Sequence, residues 1–192
     1  MKKFLLVFAI IFATIFTAKS QDQASTEGKE FWVGFLPMGI VEGNPRILIS
    51  SRLGANVTVS MPQNPAFVPI NVNVPANGTR LINTLTLAQA GTGNFNNEVV
   101  SKQAYLVKSN DNDISVIASN ELRTYTEASI VLPKTALGDN TEYIIVNPIT
   151  TVTVQPASFA VFKIVGIEDN TTVTVNLTAN SSGGKIAKTP FN

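Results

Sequence analysis

Period-two alternation is the feature that most limits what this chain can fold into. Asn56-Val57-Thr58-Val59-Ser60-Met61 alternates polar and apolar residues, as do Asn71-Val72-Asn73-Val74 and Thr171-Thr172-Val173-Thr174-Val175-Asn176-Leu177. Successive side chains of a strand point to opposite faces, so this pattern specifies antiparallel sheet with one wet face. Val and Thr are stiff at χ1 and fit a pleated surface. A second set of runs is more continuously apolar: Phe31 to Leu36, Arg46 to Ile49, Ile114 to Ala118, Tyr143 to Val146 and Phe159 to Val165. These read as strands buried on both faces. No window holds a sustained i, i+3, i+4 pattern, and only Thr84 to Ala90 suits a short helical turn. Gly43-Asn44-Pro45, Leu53-Gly54-Ala55, Pro75-Ala76-Asn77-Gly78, Asn110-Asp111-Asn112-Asp113 and Glu168-Asp169-Asn170 supply turn chemistry between the strands. About ten strands at this spacing predict an all-β chain of antiparallel sheets, arranged as a sandwich or as blade-like repeats.

The first twenty residues stand apart. Met1-Lys2-Lys3 is a positive start, Phe4 to Phe16 is an apolar run, and Ala18-Lys19-Ser20 places small residues where a signal peptidase reads. The run is shorter than the roughly 20 residues of a spanning helix. Residues 1–20 are therefore expected to be a secretory signal peptide, cleaved before Gln21, with residues 21–28 a short linker and 29–192 the all-β domain. Location outside the cell or on its surface follows. The expected mature chain keeps 13 acidic groups and loses three lysines of the 14 basic ones, so it is close to neutral. Such a balance offers nothing to nucleic acid or to an anionic membrane, and no membrane insertion of the mature chain is expected.

With no His and no Cys, a Ser–His–Asp triad, a Cys nucleophile, a disulfide framework and the usual zinc or haem sites are excluded. No cofactor is expected. Carboxylates remain, and Glu30, Glu121, Glu127 and Glu142 lie on or beside predicted strands. A carboxylate pair is the minimum for a glycosidase, but acids on strands more often keep sheet edges from pairing. Asp111 and Asp113 set oxygen ligands at alternating positions, as a Ca²⁺ site requires. The Gly and terminal Glu of an EF-hand are absent, so an Asx turn is the plainer reading. Trp32 is the sole Trp. Alternation puts it on the face opposite Phe31 and Phe35, where an exposed indole stacks a sugar ring and a buried one fills core. The sequons at Asn56, Asn77, Asn170, Asn176 and Asn180 follow from an Asn/Thr-rich composition. No catalytic residue is assigned.

Two halves of the chain share an order of features. Lys29-Glu30-Phe31-Trp32-Val33 parallels Thr141-Glu142-Tyr143-Ile144-Ile145. Ile47 to Ile49 followed by Ala55 to Ser60 parallels Phe162 to Val165 followed by Asn170 to Val175. An internal repeat is expected, with one unit over about 29–140 and part of a second over 141–192. On that reading the chain is a fragment of a longer protein.

The blocks GKEFWVGFLP (28–37), PRILISSRLGANVTVSMP (45–62), VNVPANGTRL (72–81), YLVKSNDNDISVIASNE (105–121), IVLPKTALGDNTEYIIVNP (130–148) and FAVFKIVGIEDNTTVTV (159–175) resemble the N-terminal domain of IgGFc-binding protein and its bacterial relatives. The resemblance runs over about 24–192. It implies an extracellular β-rich module, joined in large secreted proteins to adhesive partners, and it implies binding rather than catalysis. The expected partner is an extracellular protein or glycan. No short motif carries Fc binding over to particular residues. Asp139-Asn140-Thr141 adds residues before the Glu142-Tyr143 segment, which lengthens a turn. The alternatives to a binding and adhesion module are a carbohydrate-active hydrolase with paired carboxylates and a purely structural spacer.

Overall fold

The structure, a computed structural model, describes residues 25–36, 43–90, 101–122, 125–137, 142–145 and 162–180. The expected signal peptide, the added turn residues 139–141 and the last twelve residues lie outside these. Eight strands are found: β1 (Glu30–Val33), β2 (Asn44–Ser51), β3 (Ala55–Ser60), β4 (Ile70–Val74), β5 (Gly78–Ile82), β6 (Tyr105–Ser109), β7 (Ser115–Leu122) and β8 (Tyr125–Val131). They form two four-stranded antiparallel sheets, in the orders β1-β6-β3-β4 and β5-β2-β7-β8. The inward faces of the two sheets share one core, so of the two expected arrangements the sandwich is the one adopted.

Alternation decides which residues fill it. On β2 burial alternates from Pro45 to Ser51, with Ile47 and Ile49 at 0% exposure. Val57, Val59, Val74, Val107 and Val116 do the same on their own strands. Tyr105 lies edge-on to Phe35 and Phe67, with ring centroids at 5.8 Å and 5.7 Å, the T-shaped arrangement that aromatic quadrupoles favour. The runs Arg46–Ile49 and Ile114–Ala118 were expected to be buried on both faces. They are buried on one only: Leu48 and Ile117 lie half-buried on the outer side. Each sheet has one packed face, because a two-layer sandwich supplies a partner layer on one side alone.

Five connections pass from one sheet to the other, β1–β2, β2–β3, β4–β5, β5–β6 and β6–β7, and three of them are short corners. Arg52–Gly54 carries β2 to β3, Pro75–Asn77 carries β4 to β5, and Asn110–Asp113 carries β6 to β7. The first two corners lean on each other. The Asn77 N–H donates to the Arg52 carbonyl at 3.1 Å, and Gly54, at φ +82°, stands against the Ala76 backbone. Asn77 takes φ 51°, a left-handed conformation that Asn tolerates better than most residues. The α-helical turn α1 (Leu87–Ala90) falls where the sequence suggested, and a 3-10 turn follows β8 at Lys134–Ala136. The Thr86 N–H donates to Gln89 Oε1 at 3.0 Å and the Gln89 N–H donates to Thr86 Oγ1 at 3.2 Å, a reciprocal capping box.

Of the expected second repeat unit, 141–192, the structure describes residues 142–145 and 162–180. These contribute no strand to either sheet. Phe31 is fully buried, whereas its counterpart Tyr143 is 64% exposed. Exposure still alternates at period two over 162–168 and 172–178. The described stretches of the second unit thus share the local pattern of the first.

Candidate functional site

The register of the first sheet sets out its outer face residue by residue. Glu30, Lys108, Thr58 and Asn71 form one row across the four strands, and Trp32, Leu106 and Ser60 form the next. Trp32 therefore stands on the outward side of β1, half-buried, while Phe31, Val33 and Phe35 fill the core as alternation required. Its indole Nε1–H donates to Glu30 Oε1 at 3.2 Å. Farther along, Thr58 Oγ1 donates to Asn71 Oδ1 at 2.8 Å and Asn73 Nδ2 donates to Asn56 Oδ1 at 3.0 Å. This face is polar apart from Trp32 and Leu106.

Asp111 sits at the corner after β6. Its carboxylate accepts from the Asn56 N–H (3.0 Å), from Asn56 Nδ2 (2.9 Å) and from the Asn112 N–H (3.0 Å). These donors, the Asn56 backbone first, hold its pKa below the usual carboxylate value. Both oxygens are thus engaged in tying the β6–β7 turn to β3. Asp113 contributes its carbonyl, which accepts from Ser51 Oγ at 3.1 Å. Among the described residues no group of three or more acidic side chains is placed to hold a metal ion.

The other carboxylates are dispersed. Glu121 pairs with Arg46 on the outer face of the second sheet, and Glu127 is on the inward side of β8, opposite Asn120. Glu30 is on the other sheet, 3.9 Å from the Lys134 ammonium, and Glu142 is exposed. Glu127 borders an open cleft of ≈ 510 Å³ with Leu36, Ser129, Ile145, Phe162 and Lys163. Burial raises its pKa, against the lowering effect of the Leu36 N–H bonded to it. Lys163 Nζ donates to the Phe35 carbonyl at 3.0 Å, and burial lowers its pKa. The cleft presents one carboxylate and one ammonium, not the two acids that glycoside hydrolysis uses.

The outer face of the second sheet holds what the sequence did not announce. Leu81, Leu48, Ile117 and Ile130 occupy successive strands β5, β2, β7 and β8 at the same register level. Leu81 is 49% exposed and Ile130 63%. Four apolar side chains thus form a row across the whole sheet on its solvent side, about 14 Å from first strand to last at the usual strand spacing. Small hydroxyl residues flank it on one side, Thr79, Ser50 and Ser115.

The end of the described chain lies along β1. A Cβ on Gly34 would come within 2.8 Å of Val165 Cγ2, and Lys134 joins Glu168 at 2.8 Å. The residues that touch β1 from outside both sheets thus come from the last third of the sequence.

Comparison with known proteins bears on that same third. Residues 127–192 match the model of a family described as IgGFc binding protein, in agreement with the resemblance read from the sequence blocks. The match takes in β8, the turn after it and the segment against β1, and leaves β1 to β7 unmatched. No curated protein and no solved structure matches the chain. No helix among the described residues is long and apolar enough to cross a membrane.

Proposed function

We propose that this chain is an exported, non-catalytic binding module that recognises an extracellular protein through the outer face of its second sheet. The observation that carries the reading is the row Leu81–Leu48–Ile117–Ile130. A solvent-side apolar row that no strand or helix among the described residues covers costs solubility, and contiguous exposed apolar surface marks interaction sites. The polar flanks resemble the rim that surrounds the apolar centre of protein interfaces. The family match over residues 127–192 supports a binding role, and β8 with Ile130 lies inside it. Dispersal of the carboxylates argues against the hydrolase alternative.

The test is a surface-plasmon panel of purified extracellular glycoproteins, with immunoglobulin Fc among them, run on the wild type and on Leu48→Asp/Ile130→Asp. Saturable binding to at least one protein, lost in the variant, is expected. Equal binding by both chains would move recognition to another surface. Turnover of chromogenic glycosides, abolished by Glu127→Gln, would replace the binding module with the enzyme.

A further inference from the structure

The outer face of the first sheet carries a different chemistry from the row on the second, and the two are independent of each other. Its hydrogen-bonding side chains are held by their neighbours. Thr58 Oγ1 donates to Asn71 Oδ1, which leaves the Asn71 Nδ2 donors outward. Asn73 Nδ2 donates to Asn56 Oδ1, which leaves Asn73 Oδ1 as an acceptor, and Asn56 Nδ2 is in turn fixed by Asp111 Oδ2 at 2.9 Å. All four of these side chains are on adjacent strands β3 and β4, in two consecutive rows. The aromatic member is Trp32, at the β1 end of the neighbouring row, its ring orientation set by the Glu30 bond.

We propose that this face binds a neutral oligosaccharide, with the Trp32 indole stacking on a sugar ring and the Asn71 and Asn73 amides hydrogen-bonding its hydroxyls. Stacking and amide recognition are complementary to the two surfaces of a pyranose, an apolar C–H face and a rim of hydroxyls that both donate and accept. The ladder of side-chain bonds holds the amides in place before binding, so little rotamer freedom is lost when the ligand arrives. The distance from β1 to β4, about 14 Å, is long enough for a short chain of sugars and too long for one ring. Formal charges here are offset locally: Glu30 is in register with Lys108, and Lys134 bridges Glu30 and Glu168. A face with balanced charge has no electrostatic preference for sulfated or sialylated chains. The lack of a continuous apolar strip separates it from a peptide groove.

Trp32 is the one Trp of the sequence, so intrinsic indole fluorescence reports on this site alone. The probes are cellotriose, N,N′,N″-triacetylchitotriose and mannotriose, with a sulfated disaccharide and an unstructured peptide as competitors. A saturable change in emission with at least one neutral trisaccharide is expected. Asn71→Ala, which keeps the reporter, should weaken that titration several-fold. Trp32→Ala, followed by calorimetry, should weaken it about tenfold. Leu48→Asp/Ile130→Asp should leave it unchanged, which separates failure of this site from failure of the protein-binding row. The assignment is overturned by a flat emission signal with all three neutral sugars, by an Asn71→Ala titration equal to the wild type, or by preference for the peptide or the sulfated sugar.

Discussion

The two outer faces of this sandwich are built on the same strand geometry and carry opposite chemistry. The first sheet turns outward a lattice of Asn and Thr side chains bonded to one another, with Trp32 at its edge. The second turns outward a row of Leu and Ile with small hydroxyls beside it. Inward, both sheets offer the same Val, Ile and aromatic core. Stability demands only that one face of each sheet be apolar. What each sheet does with its other face is free to differ, and there the two proposed recognition surfaces lie.

The sharpest test of that division sits on one strand. Ile47→Ala or Ile49→Ala, pointing inward from β2, should cost about 2–5 kcal/mol in urea unfolding. Leu48→Ala, between them and pointing out, should cost less than about 1 kcal/mol. Equal losses would mean that the outer row is covered, and its role as a recognition surface would fall. A second test compares corners. Asp111→Ala removes the acceptor that joins the β6–β7 turn to β3. Because the folded pKa of Asp111 lies below the unfolded one, its contribution is present above the unfolded value near 4 and is lost as pH falls through the lower folded value. Melting curves of wild type and Asp111→Ala should therefore differ at pH 7 and converge in strong acid.

The smallest effect is expected at Glu127. Burial raises its folded pKa, so its favourable contribution is complete below the unfolded pKa and is lost as pH rises through the folded one. Glu127→Gln should raise the melting temperature slightly at pH 7 and not at pH 3.5. The gain stays small because the side chain is partly solvated and the Leu36 N–H supports its charge. A loss of stability at pH 7 would show instead that the carboxylate is needed in the cleft, beside Lys163.

The inward faces were legible in the sequence because period two is a local property. Val57, Val59 and Val74 announce their burial through their immediate neighbours, and Thr86 and Gln89 announce a capped turn. Trp32 was legible for the same reason. The apolar row was not, because its four members come from strands separated by up to 82 positions, Leu48 to Ile130, and only the register brings them level. A continuous apolar run such as Arg46–Ile49 invited a reading of burial on both faces; its outward Leu48 is a member of the row. The exposure of Tyr143 beside the burial of Phe31 has a related reason. Phe31 is buried because Val107 and Tyr105 lie beside it, and nothing in the local sequence of Tyr143 provides such neighbours.

The five connections that pass between the sheets have a consequence for time as well as shape. Only β3–β4 and β7–β8 are neighbours both along the chain and within a sheet; the pairings β1–β6, β3–β6, β2–β5 and β2–β7 join strands that the crossings keep apart in sequence. Pairings such as Phe31 with Val107 and Ile47 with Ala118 join positions about 70 residues apart, and such loops must close before any of those contacts is gained. Chains dominated by distant pairings fold in milliseconds to seconds rather than microseconds. For the exported module proposed above, that delay would be an asset: the chain would remain threadable during delivery and acquire its two faces only on arrival.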